Sequence, residues 1–182
     1  MQICGGGNGV RLRSTAAIAC AVVVVDRATK WVVTAWMVRG DSITVIPGFF
    51  SLTYVRNPGA AFGLLAESPL RVPVLSLFAI AAVGSLLWLV AHLSPARVAE
   101  RVAASAIIGG ALGNLYDRFT YGWVVDFLDF YVGRWHWPAF NAADSCISVG
   151  VAVLLLASLL RDEDDAATPP RQDGLSAQRN VA

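Results

Sequence analysis

Four long apolar segments divide this chain, and polar segments separate them. They cover residues 15–38, 72–93, 102–116 and 137–160. Since about 20 helical residues cross the hydrocarbon core of a bilayer, the pattern predicts a membrane α-helical protein with four transmembrane helices. The segment at 72–93 is the clearest, because it contains no Asp, Glu, Lys or Arg. Within 102–116, Gly109-Gly-Ala-Leu-Gly113 has a spacing that favours close packing of membrane helices.

The two longer polar connections indicate a small β-sheet on one side of the predicted bundle. Residues 42–55 are rich in β-branched and aromatic residues and read as two short strands around a Pro47-Gly48 turn. The connection after the third helix adds two strand-prone runs, at 123–125 and 127–132. An even number of crossings places both termini on the side opposite this sheet.

The flanking charges decide the orientation only weakly, because Arg residues border both ends of the predicted helices. The short connection at 94–101 is nonetheless typical of a cytoplasmic loop, so we expect cytoplasmic termini and an extracytoplasmic sheet. A cleaved signal peptide is the alternative at the N-terminus, since Arg11 and Arg13 precede an apolar run. Only about five apolar residues precede Cys20, fewer than the roughly 7–15 of such a signal. We therefore expect a retained first helix.

The composition agrees with a multi-pass membrane protein. Hydrophobic residues make up 56% and charged residues 15% of the 182 positions, against about 25% charged in soluble domains. The net charge of +1 argues against nucleic acid as a partner. The three Cys and two His have no ligand spacing, so we expect no metal and no cofactor. We divide the chain into a cytoplasmic N-terminal segment (1–13), a membrane domain (14–160) and a disordered polar tail (161–182).

Two carboxylates lie where a membrane protein rarely keeps any. Asp126 follows the third apolar segment, and Asp144 lies inside the fourth, about two turns or ~9 Å from its start. An ionised Asp at the bilayer centre costs about 2.5–3.5 kcal/mol, and such residues persist where they face water or one another and have a function. The geometry permits both to meet just below the outer surface. Two unrelated polar residues that line a pore are the alternative.

Several polar residues surround these acids in the predicted fold. Asp26 and Lys30 are one helical turn apart, which suits an ion pair that either neutralises buried charge or braces the site. Asn57 lies in a Pro- and Gly-containing turn and could also hydrogen-bond a peptide backbone. Asn114 and Arg118 share a helix face, and Arg118 either holds a carboxylate or carbonyl or reaches lipid headgroups.

Five blocks in this order resemble bacterial lipoprotein signal peptidase, also called signal peptidase II. The resemblance covers about residues 14–160. The blocks are Asp26-Arg-Ala-Thr-Lys30, Asn57-Pro-Gly-Ala-Ala-Phe-Gly63, Gly109-Gly-Ala-Leu-Gly-Asn-Leu-Tyr-Asp-Arg118, Val124-Val-Asp-Phe127 and Phe140-Asn-Ala-Ala-Asp-Ser145. Any one block alone is a weak signal, whereas five ordered blocks are specific.

The resemblance implies a four-helix aspartic endopeptidase, multi-pass in the bacterial cell (inner) membrane, with its active site near the extracytoplasmic face. We expect a monomer. The implied substrate is a diacylglyceryl-modified prolipoprotein within the membrane lipids, cut immediately before the lipidated Cys. Asp126 and Asp144 match the family's catalytic pair. Substrate-binding or supporting roles are implied for Asn57, Asn114, Arg118, Asn141, Asp26 and Lys30.

Two close carboxylates share one proton near neutrality, because both cannot ionise cheaply. We expect Asp144 to be the ionised member, since it lies nearer the positive N-terminal end of its helix. A serine–lysine peptidase is the enzymatic alternative, with Lys30 as the base and Ser42 or Ser145 as the nucleophile. A small proton-coupled transporter that uses the acids as a relay is the non-enzymatic alternative.

Overall fold

A computed structural model describes residues 6–60 and 64–167. Within these residues, four helices and four strands follow one another along the chain. In order they are α1 (Gly6–Trp36), β1 (Ser42–Ile46), β2 (Phe50–Asn57), α2 (Arg71–His92), α3 (Val98–Tyr121), β3 (Val124–Val132), β4 (Trp135–His136) and α4 (Ala142–Ala167). Each predicted apolar segment therefore corresponds to one helix.

Two of the helices are long and apolar enough to cross a membrane by themselves. They are α2, over Arg71–His92, and the Ala142–Leu160 part of α4. The helices α1 and α3 are both longer than α2, but charged residues interrupt their apolar stretches, among them Asp26, Lys30 and Asp117. The composition of the described helices thus supports two of the four predicted crossings.

The helix α3 lies at the centre of the bundle and packs against the other three helices. Its glycines allow this close approach. A Cβ atom at Gly109 would lie 2.7 Å from the carbonyl oxygen of Ala19 in α1, and one at Gly110 would lie 2.5 Å from that of Ala143 in α4. The close helix packing predicted for this glycine-rich segment is confirmed.

The four strands form one antiparallel sheet in the order β1-β2-β3-β4. The sheet packs on the end of α1 through an apolar cluster of Val33, Met37, Tyr54, Val125 and Phe127. The predicted sheet is confirmed with one difference, since the two runs after the third helix form a single strand, β3. Asp126 therefore lies within a strand, and a register shift in β2 faces that part of β3.

Several boundaries differ from those predicted, and α3 covers Val98–Tyr121 rather than 102–116. The helix α1 begins at Gly6 and so includes part of the segment expected to precede it. The helix α4 begins at Ala142 rather than at residue 137, because Pro138 has no backbone N–H and Asn141 supplies a helix cap. It continues to Ala167, so residues 161–167 of the expected disordered tail are helical. Residues 168–182 of that tail lie outside the described part of the chain.

Candidate active site

A cavity of about 680 Å³ lies where the bundle meets the sheet. Both acids line it: Asp126 from β3 and Asp144 from α4. Apolar side chains form much of the remaining wall, including Trp137 and Phe140 from the segment before α4. The structure therefore brings together the two carboxylates that the sequence pattern singled out.

Asp126 is buried, with 2% of its surface exposed. Its neighbours Val125 and Phe127 belong to the apolar cluster beneath the sheet, and strand alternation directs Asp126 to the opposite side. The side chain amide of Asn57 donates to one carboxylate oxygen at 2.9 Å. That of Asn141 donates to the other at 2.7 Å. Burial, followed by the charge of nearby Asp144, raises the pKa of Asp126 to about 7.

Asp144 is the third residue of α4 and lies in its first turn, not two turns into the helix as predicted. The misplacement follows from the later start of α4. Asp144 forms a capping box with Asn141, in which each side chain accepts from the other residue's backbone N–H, at 3.0 and 3.2 Å. The Asn114 amide donates to Oδ1 of Asp144 at 2.8 Å. Helix capping therefore fixes the position of this carboxylate.

Asn141 connects the two acids. Its side chain is fully buried, caps α4 through Oδ1, and donates from Nδ2 to Asp126. It also donates to Oδ1 of Asn114 at 3.2 Å, which in turn holds Asp144. One asparagine thus ties strand β3 to the start of α4 and keeps both carboxylates at one cavity.

Asn57 and Arg118 occupy the rim of this cavity. The Oδ1 atom of Asn57 accepts from the backbone N–H of Gly59 at 3.0 Å, so the residue forms the predicted turn while its amide holds Asp126. Among the described residues, the guanidinium of Arg118 makes two long contacts, each 3.5 Å, to the carbonyl oxygens of Asn114 and Gly59. Residues 61–63 of the predicted turn block lie outside the described residues.

Beneath the cavity, a cluster of buried charges joins α1 to α3. The predicted ion pair is confirmed, with Lys30 Nζ 2.8 Å from Oδ2 of Asp26. The same ammonium lies 2.8 Å from Oδ2 of Asp117 and 2.9 Å from Oδ1 of Asn114. Asp26 also accepts from the backbone N–H of Ala143 at 3.2 Å. The pair therefore connects α1 with both α3 and the start of α4.

Two charged residues of this cluster had no role in the sequence analysis. Asp117 is fully buried and pairs with Arg27 of α1, whose guanidinium lies 4.6 Å from the ring centre of Tyr116. A signal was present, because Asp117 lies three residues after Asn114 and hence on a neighbouring face of α3. Gly113 makes room for the cluster, since a Cβ there would lie 2.6 Å from Oδ2 of Asp26.

The fold is that of a bacterial membrane enzyme. It matches a bacterial membrane enzyme solved by the in meso method at 2.3 Å resolution, with a TM-score of 0.76 and 34% identity over 86% of this chain and 93% of that one. A second such structure, at 1.9 Å resolution, matches with a TM-score of 0.70 and 34% identity over 80% and 92%. The chain is accordingly a membrane-embedded protein.

Within that class, the chain belongs to the signal peptidase II family, whose model matches residues 18–160. The lipoprotein signal peptidase of Syntrophotalea carbinolica is 49% identical over 140 residues, which are 77% of this chain and 87% of that protein. That of Geobacter sulfurreducens is 44% identical over 147 residues, or 81% and 91% of the two chains. The family resemblance predicted from five sequence blocks is confirmed, and the chain is a protease.

Proposed function

We propose that Asp126 and Asp144 are the catalytic pair with which this peptidase removes signal peptides from lipidated prolipoproteins. The observation that carries the assignment is the bridge through Asn141, which contacts both buried carboxylates at one cavity. The raised pKa of Asp126 supports a pair that holds one proton near neutral pH. In this pair Asp126 carries the proton and Asp144 is ionised.

The reaction uses this proton in two stages. Ionised Asp144 takes a proton from a water molecule, whose oxygen attacks the scissile carbonyl carbon, while Asp126 donates its proton to the carbonyl oxygen. A tetrahedral intermediate forms. When its C–N bond breaks, Asp144 returns a proton to the leaving nitrogen and the intermediate's hydroxyl returns one to Asp126. The products are the carboxyl end of the signal peptide and the amino group of the lipidated Cys.

The polar residues at the rim have positions that suit substrate binding. The Arg118 guanidinium lines the cavity beside both acids and has donors to spare for a peptide carbonyl or the developing oxyanion. Asn57 and Asn114 each hold one carboxylate, so they orient the pair. The apolar wall with Trp137 and Phe140 suits the lipid-modified part of the substrate.

The contacts of Lys30 argue against the serine–lysine alternative. Three oxygen atoms surround its ammonium, from Asp26, Asn114 and Asp117, and none belongs to a serine. The hydroxyl of Ser145 instead donates to the backbone carbonyl of Asn141 at 2.9 Å. A lysine held in this way has no free electron pair with which to accept a proton from a serine.

The test is cleavage of a purified substrate. We expect the protein in detergent to release the signal peptide from a diacylglyceryl-modified prolipoprotein, with mass spectrometry placing the cut before the lipidated Cys. The same precursor with an unmodified Cys is the control and should stay intact. Cleavage of both precursors at similar rates would contradict the proposed substrate. Loss of cleavage in both Lys30→Arg and Ser145→Ala, with cleavage retained in Asp126→Asn, would favour a serine nucleophile with Lys30 as its base.

We also propose that all four helices cross the membrane, with cytoplasmic termini and the sheet outside. The lengths of α1 and α3, 31 and 24 residues, support this arrangement. Their buried charges face one another inside the bundle rather than lipid. Near the sheet, the exposed rings of Trp135 and Trp137 suit the headgroup region of a bilayer.

This orientation predicts a labelling pattern in intact cells. In a variant without the native cysteines, Thr44→Cys in β1 should react with a membrane-impermeant maleimide. Ser94→Cys, between α2 and α3, should react only after the membrane is opened. Both positions are exposed, so access alone decides the result. Labelling of Ser94→Cys but not Thr44→Cys in intact cells would reverse the proposed orientation.

A further inference from the structure

The ammonium of Lys30 is surrounded on three sides. Oxygen atoms of Asp26 and Asp117 lie 2.8 Å from Nζ, and Oδ1 of Asn114 lies 2.9 Å away. The side chain is buried, with 1% of its surface exposed. An ammonium has three donors and no acceptor, so this lysine can only donate to what surrounds it. Its charge is balanced within the cluster, and of the three oxygen atoms just described, the neutral one belongs to Asn114.

This contact decides which way the amide of Asn114 points. With Oδ1 turned to the Lys30 ammonium, Nδ2 faces Asp144 and donates to its Oδ1 at 2.8 Å. A reversed amide would direct N–H groups at the ammonium and an oxygen at the carboxylate. Both contacts would then be repulsive, so the two charges on either side of Asn114 permit one orientation.

The position of Lys30 is in turn held from α3 and α1. Asp117 contacts Lys30 through one oxygen and Arg27 through the other, and it is fully buried. Asp26 contacts Lys30 and also the backbone of α4 at Ala143. The ammonium therefore cannot move away from Asn114 without breaking ion pairs to two helices.

We propose that Lys30, clamped between Asp26 and Asp117, is a positioning residue that orients the amide of Asn114 and through it the carboxylate of Asp144. Arg27 supports the clamp by occupying the second oxygen of Asp117. The proposal deepens the function proposed above and rests on Asp144 being part of the catalytic pair. Lys30, Asp117 and Arg27 therefore affect catalysis indirectly, by setting the orientation of the Asn114 side chain.

A double-mutant cycle tests this route. We expect Lys30→Met and Asn114→Ala each to lower kcat by about 100-fold, since a small misplacement of a catalytic group has an effect of that order. The KM for the lipidated precursor should stay within about twofold. Lys30 does not line the cavity, and the amide of Asn114 is already engaged by Lys30 and Asp144. If Lys30 acts through Asn114, the double variant should be no more than about threefold slower than Asn114→Ala alone.

Asp117→Asn gives a second, independent cycle that keeps the shape of the side chain. It should lower kcat about tenfold on its own and have little further effect in the Asn114→Ala background. If Lys30→Met fails to fold, this second cycle still shows whether the charge cluster acts through Asn114. Arg97→Gln is the matched control for the loss of one charge. Arg97 makes a long, partly exposed ion pair with Glu100 at 4.0 Å, away from the Lys30 cluster, and the variant should behave as wild type.

The proposal would be overturned if, in either cycle, the fold-loss in kcat of the double variant equalled the product of the two single losses. A raised KM with unchanged kcat would also overturn it. Thermal unfolding of each variant shows whether a loss reflects an unfolded protein. This failure differs from failure of the proposed function, which would appear as cleavage by variants of the aspartates themselves. If Asp144→Asn is inactive but the Lys30 and Asn114 substitutions lower kcat independently of each other, the catalytic pair stands. Only the positioning role of Lys30 is then refuted.

Discussion

Replacing Asp144 by Asn is expected to lower kcat for a lipidated prolipoprotein by about 10³- to 10⁴-fold. The backbone N–H of residue 144 keeps its hydrogen bond to Oδ1 of Asn141, so α4 should begin at the same residue. The Asn side chain can still accept from the Asn114 amide through its single oxygen. What it cannot do is accept a proton from water. Loss of activity with an unchanged unfolding temperature, measured in the same detergent, would therefore report chemistry rather than folding.

Asp126→Asn should lower kcat by a similar factor, because no carboxylic acid would then donate a proton to the scissile carbonyl oxygen. The two losses should not multiply in a double variant, since the pair acts as a unit. Asp129→Asn is the matched control on the same strand: Asp129 pairs with His136 at 2.9 Å, away from the cavity, and its variant should keep near wild-type activity. Either catalytic variant working at more than about a tenth of the wild-type rate would refute the assignment.

The pH dependence of the wild-type rate gives a second measure of the same pair. Burial, and then the negative charge of Asp144, raises the pKa of Asp126 to about 7. Just below that pH, Asp126 holds the proton that the proposed mechanism donates to the scissile carbonyl. As the pH rises through about 7, Asp126 loses its proton and the rate should fall. A rate that stays constant from about pH 6 to 9 would be inconsistent with a shared proton of this origin.

The helices could be predicted from the sequence because each depends on the length of an apolar run. Their ends could not be predicted in the same way. The apolar character of residues 137–140 continues into α4, so hydropathy does not mark the start of that helix. The capping pair Asn141 and Asp144 marks it, three residues apart, and this local signal is present in the sequence.

The tertiary part of the site could be predicted only in outline. The spacing of Asp26 and Lys30 suffices for their ion pair, because both lie on one helix turn. The pairing of Arg27 with Asp117 joins residues 90 positions apart. It depends on how α1 and α3 are rotated about their axes, which the helix periodicity alone leaves open. The same is true of Asn141, whose contact with Asp126 requires the sheet to lie over the end of the bundle.

Asn141 combines a structural role with a positioning role. Asn141→Ala removes the cap of α4 and the hydrogen bond to Asp126 together. We expect a loss of about 1 kcal/mol in the free energy of unfolding from the missing cap. We also expect kcat to fall by about 10²- to 10³-fold, because neither carboxylate is held toward the other.

Asn141→Ser separates these two effects. A serine hydroxyl is a good helix cap, so the stability lost in Asn141→Ala should largely return. The serine is too short, and has too few donors, to cap α4 and reach both Asp126 and Asn114, so kcat should remain about 10²-fold below wild type. The measurements are thermal unfolding and single-turnover cleavage of the lipidated precursor for both variants. Recovery of cleavage along with stability in Asn141→Ser would mean that capping alone sets the geometry of the acids, and the bridge between them would then have no catalytic role.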